Sequence, residues 1–137
     1  MNDLQEWLAE TSSMRFIWGE WDCMLEVFDW VKACSGLDLG VTWRGRYSDA
    51  DDCRAMLKPS GGLVTTMRHA FALNGFSETA EPAAGDVGLV RVPWQHKSRA
   101  IHVPAGAIML PSGRWRACTE GGHVFSRFPL ISAWKVL

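Results

Sequence analysis

Apolar positions in the first half of the chain recur with the period of a helix, and those in the second half with the period of a strand. Asn2 or Asp3 can cap a short amphipathic helix through Glu10 that places Leu4, Trp7 and Leu8 on one face. A turn around Gly19 precedes Asp22, an N-cap for a second helix that carries Leu25, Phe28 and Val31 inward and stops at Gly36. After the loop "GLDLGVTWRGRYS", Asp49 caps a short helix through Lys58 that Pro59 ends. Gly61 and Gly62 open a fourth helix with Leu63, Met67, Ala70 and Phe71 on one face, closed by Asn74 and Gly75.

From there the pattern changes. "GDVGLVRV", "GAIML", "RWRACT", "HVFSRF" and "ISAWKV" are short, rich in β-branched or aromatic residues and separated by Gly, Pro and Ser. "PSGR" after Leu110 is a tight hairpin signal, Pro93 to Arg99 reads as a loop, and Pro104 should break the strand it falls in. Helices followed by a meander predict a single α+β domain over 1–137, helical to about 75 and sheet from about 85, not a parallel α/β fold. Phe16, Leu25, Phe28, Val31, Met67 and Phe71 are its expected core.

Composition narrows the function. With 47% hydrophobic residues, 137 positions can bury a core without disulfides or metal. The start "MNDLQEWLAE" lacks a basic leader with an apolar run, and no eighteen apolar residues run together, so neither a signal peptide nor a membrane span is expected and the chain is placed in the cytoplasm. Net charge is -1, but the first 60 residues hold 11 acidic against 6 basic side chains and the remainder 4 against 8. Two opposed faces suit docking on protein, whereas nucleic acid would call for a basic stripe with interleaved aromatics.

Cys23, Cys34, Cys53 and Cys118 form no CxxC pair and have no nearby His at ligand spacing, so no metal and no cofactor are called for. Cys23 differs from the others in its setting. In "FIWGEWDCMLEVFDW" it follows the Asp22 cap, so it occupies the first helical position, where free N–H groups and the helix dipole favour an anion. That placement predicts a lowered thiol pKa and faster alkylation than at the other three cysteines. A cysteine nucleophile also needs an imidazole and a group to orient it.

"FIWGEWDC" resembles the nucleophile turn of the NlpC-type, papain-like cell-wall cysteine peptidases. "RGRY" at 44–47, "GGL" at 61–63, "GDV" at 85–87 and "AWKV" at 133–136 recur in this order in a branch of small NlpC-like proteins encoded among phage and prophage tail genes. The resemblance implies a papain-like fold, with N-terminal helices packed on a C-terminal antiparallel sheet. It makes Cys23 the nucleophile and His102 of "AIHVPAGAIML" the imidazole, with the N–H groups that open the Cys23 helix as oxyanion donors. Pro104 and Ala105 intrude before Gly106, however, and aligning on Gly106 or Ile108 puts Pro104 or Ala105 in the imidazole's place. For the orienting group the next strand offers Arg114, Arg116 or Thr119, and arginine cannot accept an N–H. His96 enters only if the loop from Pro93 to Arg99 folds over the site.

Of the eight tryptophans, Trp7, Trp30, Trp115 and Trp134 fall on inward faces, while Trp18, Trp21 and Trp94 are candidate groove walls, with Asp22 and Arg116 as supporting groups. Arg44 or Arg46 can clamp a carboxylate or bridge to Asp49 or Asp51. Two functions compete. In one, the domain is a tail-tip, baseplate or tail-assembly protein with a degenerate site, made in the bacterial host, built into the virion tail and bound to tail-hub or tail-tip proteins. In the other, it is a peptidoglycan stem-peptide endopeptidase working through Cys23 and His102.

Overall fold

In the computed structural model, which describes residues 3–137, each helix begins where a capping side chain or a glycine allows it. Asp3 accepts the Gln5 N–H ahead of α1 (Leu4–Thr11), and Asp49 accepts that of Asp52 ahead of α3 (Ala50–Leu57). Asp22 accepts both Met24 and Leu25 N–H groups and starts α2 (Cys23–Ser35), which Gly36 ends at a φ of 79° with its N–H on the Lys32 carbonyl. A 3-10 turn, Lys58–Ser60, follows α3, and Gly62 at a φ of 91° opens α4 (Leu63–Leu73).

Five strands follow: β1 (Val87–His96), β2 (Arg99–Met109), β3 (Trp115–Thr119), β4 (Gly122–Ser126) and β5 (Leu130–Trp134). They form one antiparallel sheet in the order β4-β3-β2-β1-β5, and the molecule is α+β. Alternation along the strands gives the sheet two apolar faces. One carries Val87, Leu89, Ile108 and Trp134 against α2 and α4, where Phe28, Val31, Met67 and Phe71 are fully buried. Trp134 stacks on Phe71 with ring centroids 4.4 Å apart. The other carries Val90, Val92, Ala105, Ala107, Ala117 and Trp115, whose indole lies over Gly88, where a Cβ would come within 2.7 Å of the ring. Phe16, expected in the core, is only half-buried and meets Trp18 edge-on.

Two expectations about the sheet are corrected. The segment from Pro93 to Arg99 is not a loop but the tip of a ten-pair hairpin between β1 and β2, turning at Lys97 and Ser98 with φ of 48° and 65°. Its positive φ values are those of a tight hairpin turn, which Asn-Gly would have announced and Lys-Ser does not. Nor does Pro104 break β2. It pairs with Arg91, whose N–H is turned the other way, onto the Pro129 carbonyl. In an antiparallel ladder such a pair points its N atoms outward, and β3 pairs with β2 only at Ala107, Ile108 and Met109, so the missing N–H of Pro104 faces an open side.

A buried polar staple joins the layers. Glu26, 1% exposed, accepts with one oxygen from Trp21 Nε1 at 3.1 Å, Arg116 Nη2 at 3.2 Å and His123 Nε2 at 2.5 Å. Arg116, 2% exposed, also donates to the Leu8 carbonyl and Thr11 Oγ1 and lies 5.0 Å from the Trp7 ring centre. Burial pulls its pKa down and Glu26 pulls it back up. Arg116→Met leaves the Glu26 carboxylate without its full charge partner and should cost about 3–5 kcal/mol in urea unfolding. Adding Glu26→Leu should recover only part of that loss, since it removes the unpaired buried charge but leaves Trp21 Nε1 and His123 Nε2 without their acceptor.

Candidate functional site

Asp22 places Cys23. Its carboxylate, 2% exposed, takes four donors: Met24 N at 3.2 Å, Leu25 N at 3.0 Å, Gly19 N at 3.1 Å and Tyr47 Oη at 2.6 Å. The Trp-Gly turn and the last residue of "RGRY" therefore meet on one side chain. The approach is tight enough to require glycine, because a Cβ on Gly19 would fall 2.0 Å from the Tyr47 carbonyl oxygen. Arg44 of the same tetrapeptide holds Asp38 through both guanidinium nitrogens, at 3.0 and 3.1 Å, and keeps that carboxyl below its usual pKa. Neither Asp49 nor Asp51 is bridged by Arg44; Asp51 pairs with Arg54.

Cys23 sits at the first position of α2 as the sequence predicts, half-buried beneath β2 at the point where β3 separates from it. A Cβ on Gly106 would come within 2.4 Å of the Cys23 carbonyl oxygen, so only glycine lets the helix end approach this closely. The thiol's electrostatics run against the expectation of a lowered pKa. Burial first, then the Asp22 carboxylate, push it up to about 12, against a smaller downward pull from the Gly106 N–H. The helix terminus is already neutralised by its own cap, since the Met24 and Leu25 amides are spent on Asp22 and the Glu26 amide on the Asp22 carbonyl. Of the first four amides that could form an oxyanion hole, three are engaged.

A cavity of about 620 Å³ opens over the thiol. Phe16, Trp18, Leu57, Val64, Trp94, Ile101 and Val103 make it largely apolar; Cys53 and Cys118 also reach it, and Pro104 and Ala105 stand on the β2 wall. His102 is exposed and does not line it. The residues that alternative alignments put in the imidazole's place, Pro104 and Ala105, do. Among the described side chains no histidine borders the cavity: His69 is exposed on α4 and His123 is bound to Glu26.

The other expected wall residues divide. Trp18 and Trp94 line the cavity, Trp18 with its N–H on Glu120 at 2.8 Å. Trp21 instead turns its indole N–H to Glu26, and Arg116 is drawn into the same buried pair, away from the thiol. Sequence reading gave Tyr47, Gly106, Glu26 and His123 no part in the site. A glutamate between Leu25 and Val27 in an apolar helical stretch is the one signal that pointed to a buried partner. Ligand atoms of Glu26, Cys118 and His123 lie within 4.8 Å of one another, but Arg116 already supplies the positive charge there, so this group is a staple before it is a metal centre.

Residues 1–136 match the family described as a domain of unknown function, DUF6950. The chain belongs to that family. No curated protein and no solved structure matches it. In this DUF6950 chain two short motifs far apart in sequence tie elements together: Gly85 O accepts Trp30 Nε1 at 2.8 Å, and Asp86, 2% exposed, binds Lys135 Nζ at 3.0 Å and the Val136 N–H at 3.3 Å. "GDV" and "AWKV" are thus two halves of one lock. No helix of the described residues is long and apolar enough to cross a membrane.

The environment of the thiols sets an order of reactivity. Cys34, half-buried and raised only to about 11, should alkylate faster near neutral pH than Cys23, which burial and the Asp22 carboxylate push further from its ordinary value. Peptide mass mapping after brief iodoacetamide treatment reads the order, and Cys23 labelling first would show that the helix terminus outweighs burial and Asp22. A second measurement tests the close approach: Gly106→Ala should lower the unfolding midpoint by the equivalent of about 1–3 kcal/mol, since its Cβ meets backbone and not a yielding side chain.

Proposed function

We propose that this protein is a phage tail component, of the tail tip or baseplate or required for its assembly, that keeps an NlpC-like, papain-like architecture without its peptidase chemistry. The observation that carries this reading is the pairing of an intact nucleophile turn with a filled base position. Asp22 caps the helix and Cys23 opens it, yet the β2 wall facing the thiol carries Pro104 and Ala105.

Three further features support it. The thiol's pKa is raised, the N-terminal amides of α2 are engaged, and the cavity is walled mainly by apolar side chains, with Arg54 as the only basic one among the described residues. A stem peptide bears carboxylates and an amine, which such a wall would leave unpaired. The ordered motifs shared with small tail-encoded NlpC-like proteins supply the context, and the opposed charges of the two halves suit docking on tail-hub or tail-tip proteins after synthesis in the bacterial host.

The test is hydrolysis of purified muropeptides by the full chain beside its Cys23→Ala and His102→Ala variants, together with co-purification of neighbouring tail gene products. The expected outcome is no turnover above the Cys23→Ala background and recovery of a tail protein. Turnover lost in both variants would replace this reading with that of a stem-peptide endopeptidase.

A further inference from the structure

β5 pairs with β1 only from Val87 to Val90, and β3 with β2 only from Ala107 to Met109, so residues 91–104 continue past the sheet as a two-stranded arm. Two strands alone are marginal in water. The face of this arm that carries Trp94, Ile101 and Val103 forms one wall of the 620 Å³ cavity over Cys23, with Phe16, Trp18 and Val64 on other walls. All six side chains are half-buried, so they line the cavity without closing it. Its volume lies within the range of about 300–1,000 Å³ found for ligand pockets.

The arm is also one-signed. Residues 87–109 hold Arg91, Lys97 and Arg99 and no carboxylate. All three cations are exposed, and among the described residues none has a salt-bridge partner. Strand alternation puts Arg99 on the same face of β2 as Ile101, about 7 Å further along, and Lys97 stands in the turn beyond it. Arg99 is therefore next to the apolar wall. Across the cavity α3 opens with Asp49, Asp51 and Asp52, so the two sides of the mouth differ in sign.

We propose, on the tail-component reading of this chain, that the cavity and the arm together dock a segment of a partner protein in which large apolar side chains adjoin a run of carboxylates. The apolar residues enter between Trp18, Val64, Trp94 and Ile101, and the carboxylates lie along the arm against Lys97 and Arg99. A nucleic acid would meet the cations but leave the apolar walls unused. The arm's one tryptophan, Trp94, faces the cavity and does not stand among the cations where a base could stack on it.

Fluorescence anisotropy with the full chain and two labelled, end-blocked peptides tests this: Leu-Phe-Leu with four glutamates before it, and the same with the glutamates after it. One of the two should bind saturably, and replacing its glutamates by lysines should weaken binding at least tenfold. Lys97→Glu with Arg99→Glu, both at exposed positions outside the core, should weaken the glutamate peptide at least tenfold, and Trp94→Ala should weaken both the glutamate and the lysine forms. Saturable binding of neither glutamate peptide overturns the proposal. So does equal binding of the lysine form, indifference to the double charge reversal, or tighter binding of duplex DNA than of peptide in the same salt. Co-purification separates this from the tail reading on which it rests. A tail protein recovered equally well by the charge-reversed chain overturns the docking site alone, whereas peptide binding as expected with no tail protein recovered upholds the site and removes the tail reading.

Discussion

The Asp22 carboxylate decides where this molecule's longest helix starts, and much of the remaining structure is arranged to keep that buried charge satisfied. Among the described residues it has no salt-bridge partner, and four donors replace water: two helix amides, the Gly19 amide and the Tyr47 hydroxyl. Each of those donors commits a segment. Gly19 fixes the turn before the helix, and Tyr47 fixes the end of the loop that leads to α3. The same charge has a chemical consequence one residue on, because a carboxylate that completes a helix cap also repels a thiolate at the next position. A helix N-terminus favours an anion only while its amides are free to meet one.

Two further buried acids repeat the arrangement with cations. Glu26 binds Arg116, His123 and Trp21, so α2 is tied to β3, to β4 and to the turn that precedes it, while Arg116 continues the link to α1. Asp86 ties the start of β1 to the residues after β5 through Lys135. A helical layer and a sheet of this size could slide on an apolar interface; directional bonds from buried acids fix the register between them. Such staples explain why short motifs far apart in the chain act together, since each supplies one side of a bond whose other side lies up to 97 positions away.

How far the sequence could be read follows from the range of the interactions involved. Helix starts at Asp3, Asp22 and Asp49 and the stop at Gly36 are set by contacts within a few residues, and they stand where capping chemistry puts them. Inward faces of α2 and α4 were equally legible, because 3.6-residue periodicity is local. The β1–β2 arm was not, since its turn at Lys97 and Ser98 carries no Gly, Asn or Asp for its positive φ values, and the effect of Pro104 depends on which side of β2 is paired. The site was legible in part. Cys23 and Asp22 are neighbours in sequence and were found together, whereas the fate of Trp21 and Arg116 was decided by Glu26, a partner 5 positions from one and 90 from the other.

A cysteine peptidase needs a thiolate, an imidazole near it and free donors for an oxyanion, and it needs them in the same few ångströms. Around Cys23 the groups present are arranged otherwise. Asp22 and burial hold the proton on the thiol, Pro104 and Ala105 stand on the β2 wall of the cavity over it, and three of the opening amides of α2 are bonded within the cap. These features are not independent. Drawing the helix end close enough to β2 that only Gly106 fits between them buries the thiol. A single substitution to histidine on β2 would therefore add an imidazole beside a thiol still opposed by its own helix cap. Packing and catalysis make opposite demands on the start of α2, and in this chain the side chains and amides there are bonded for packing.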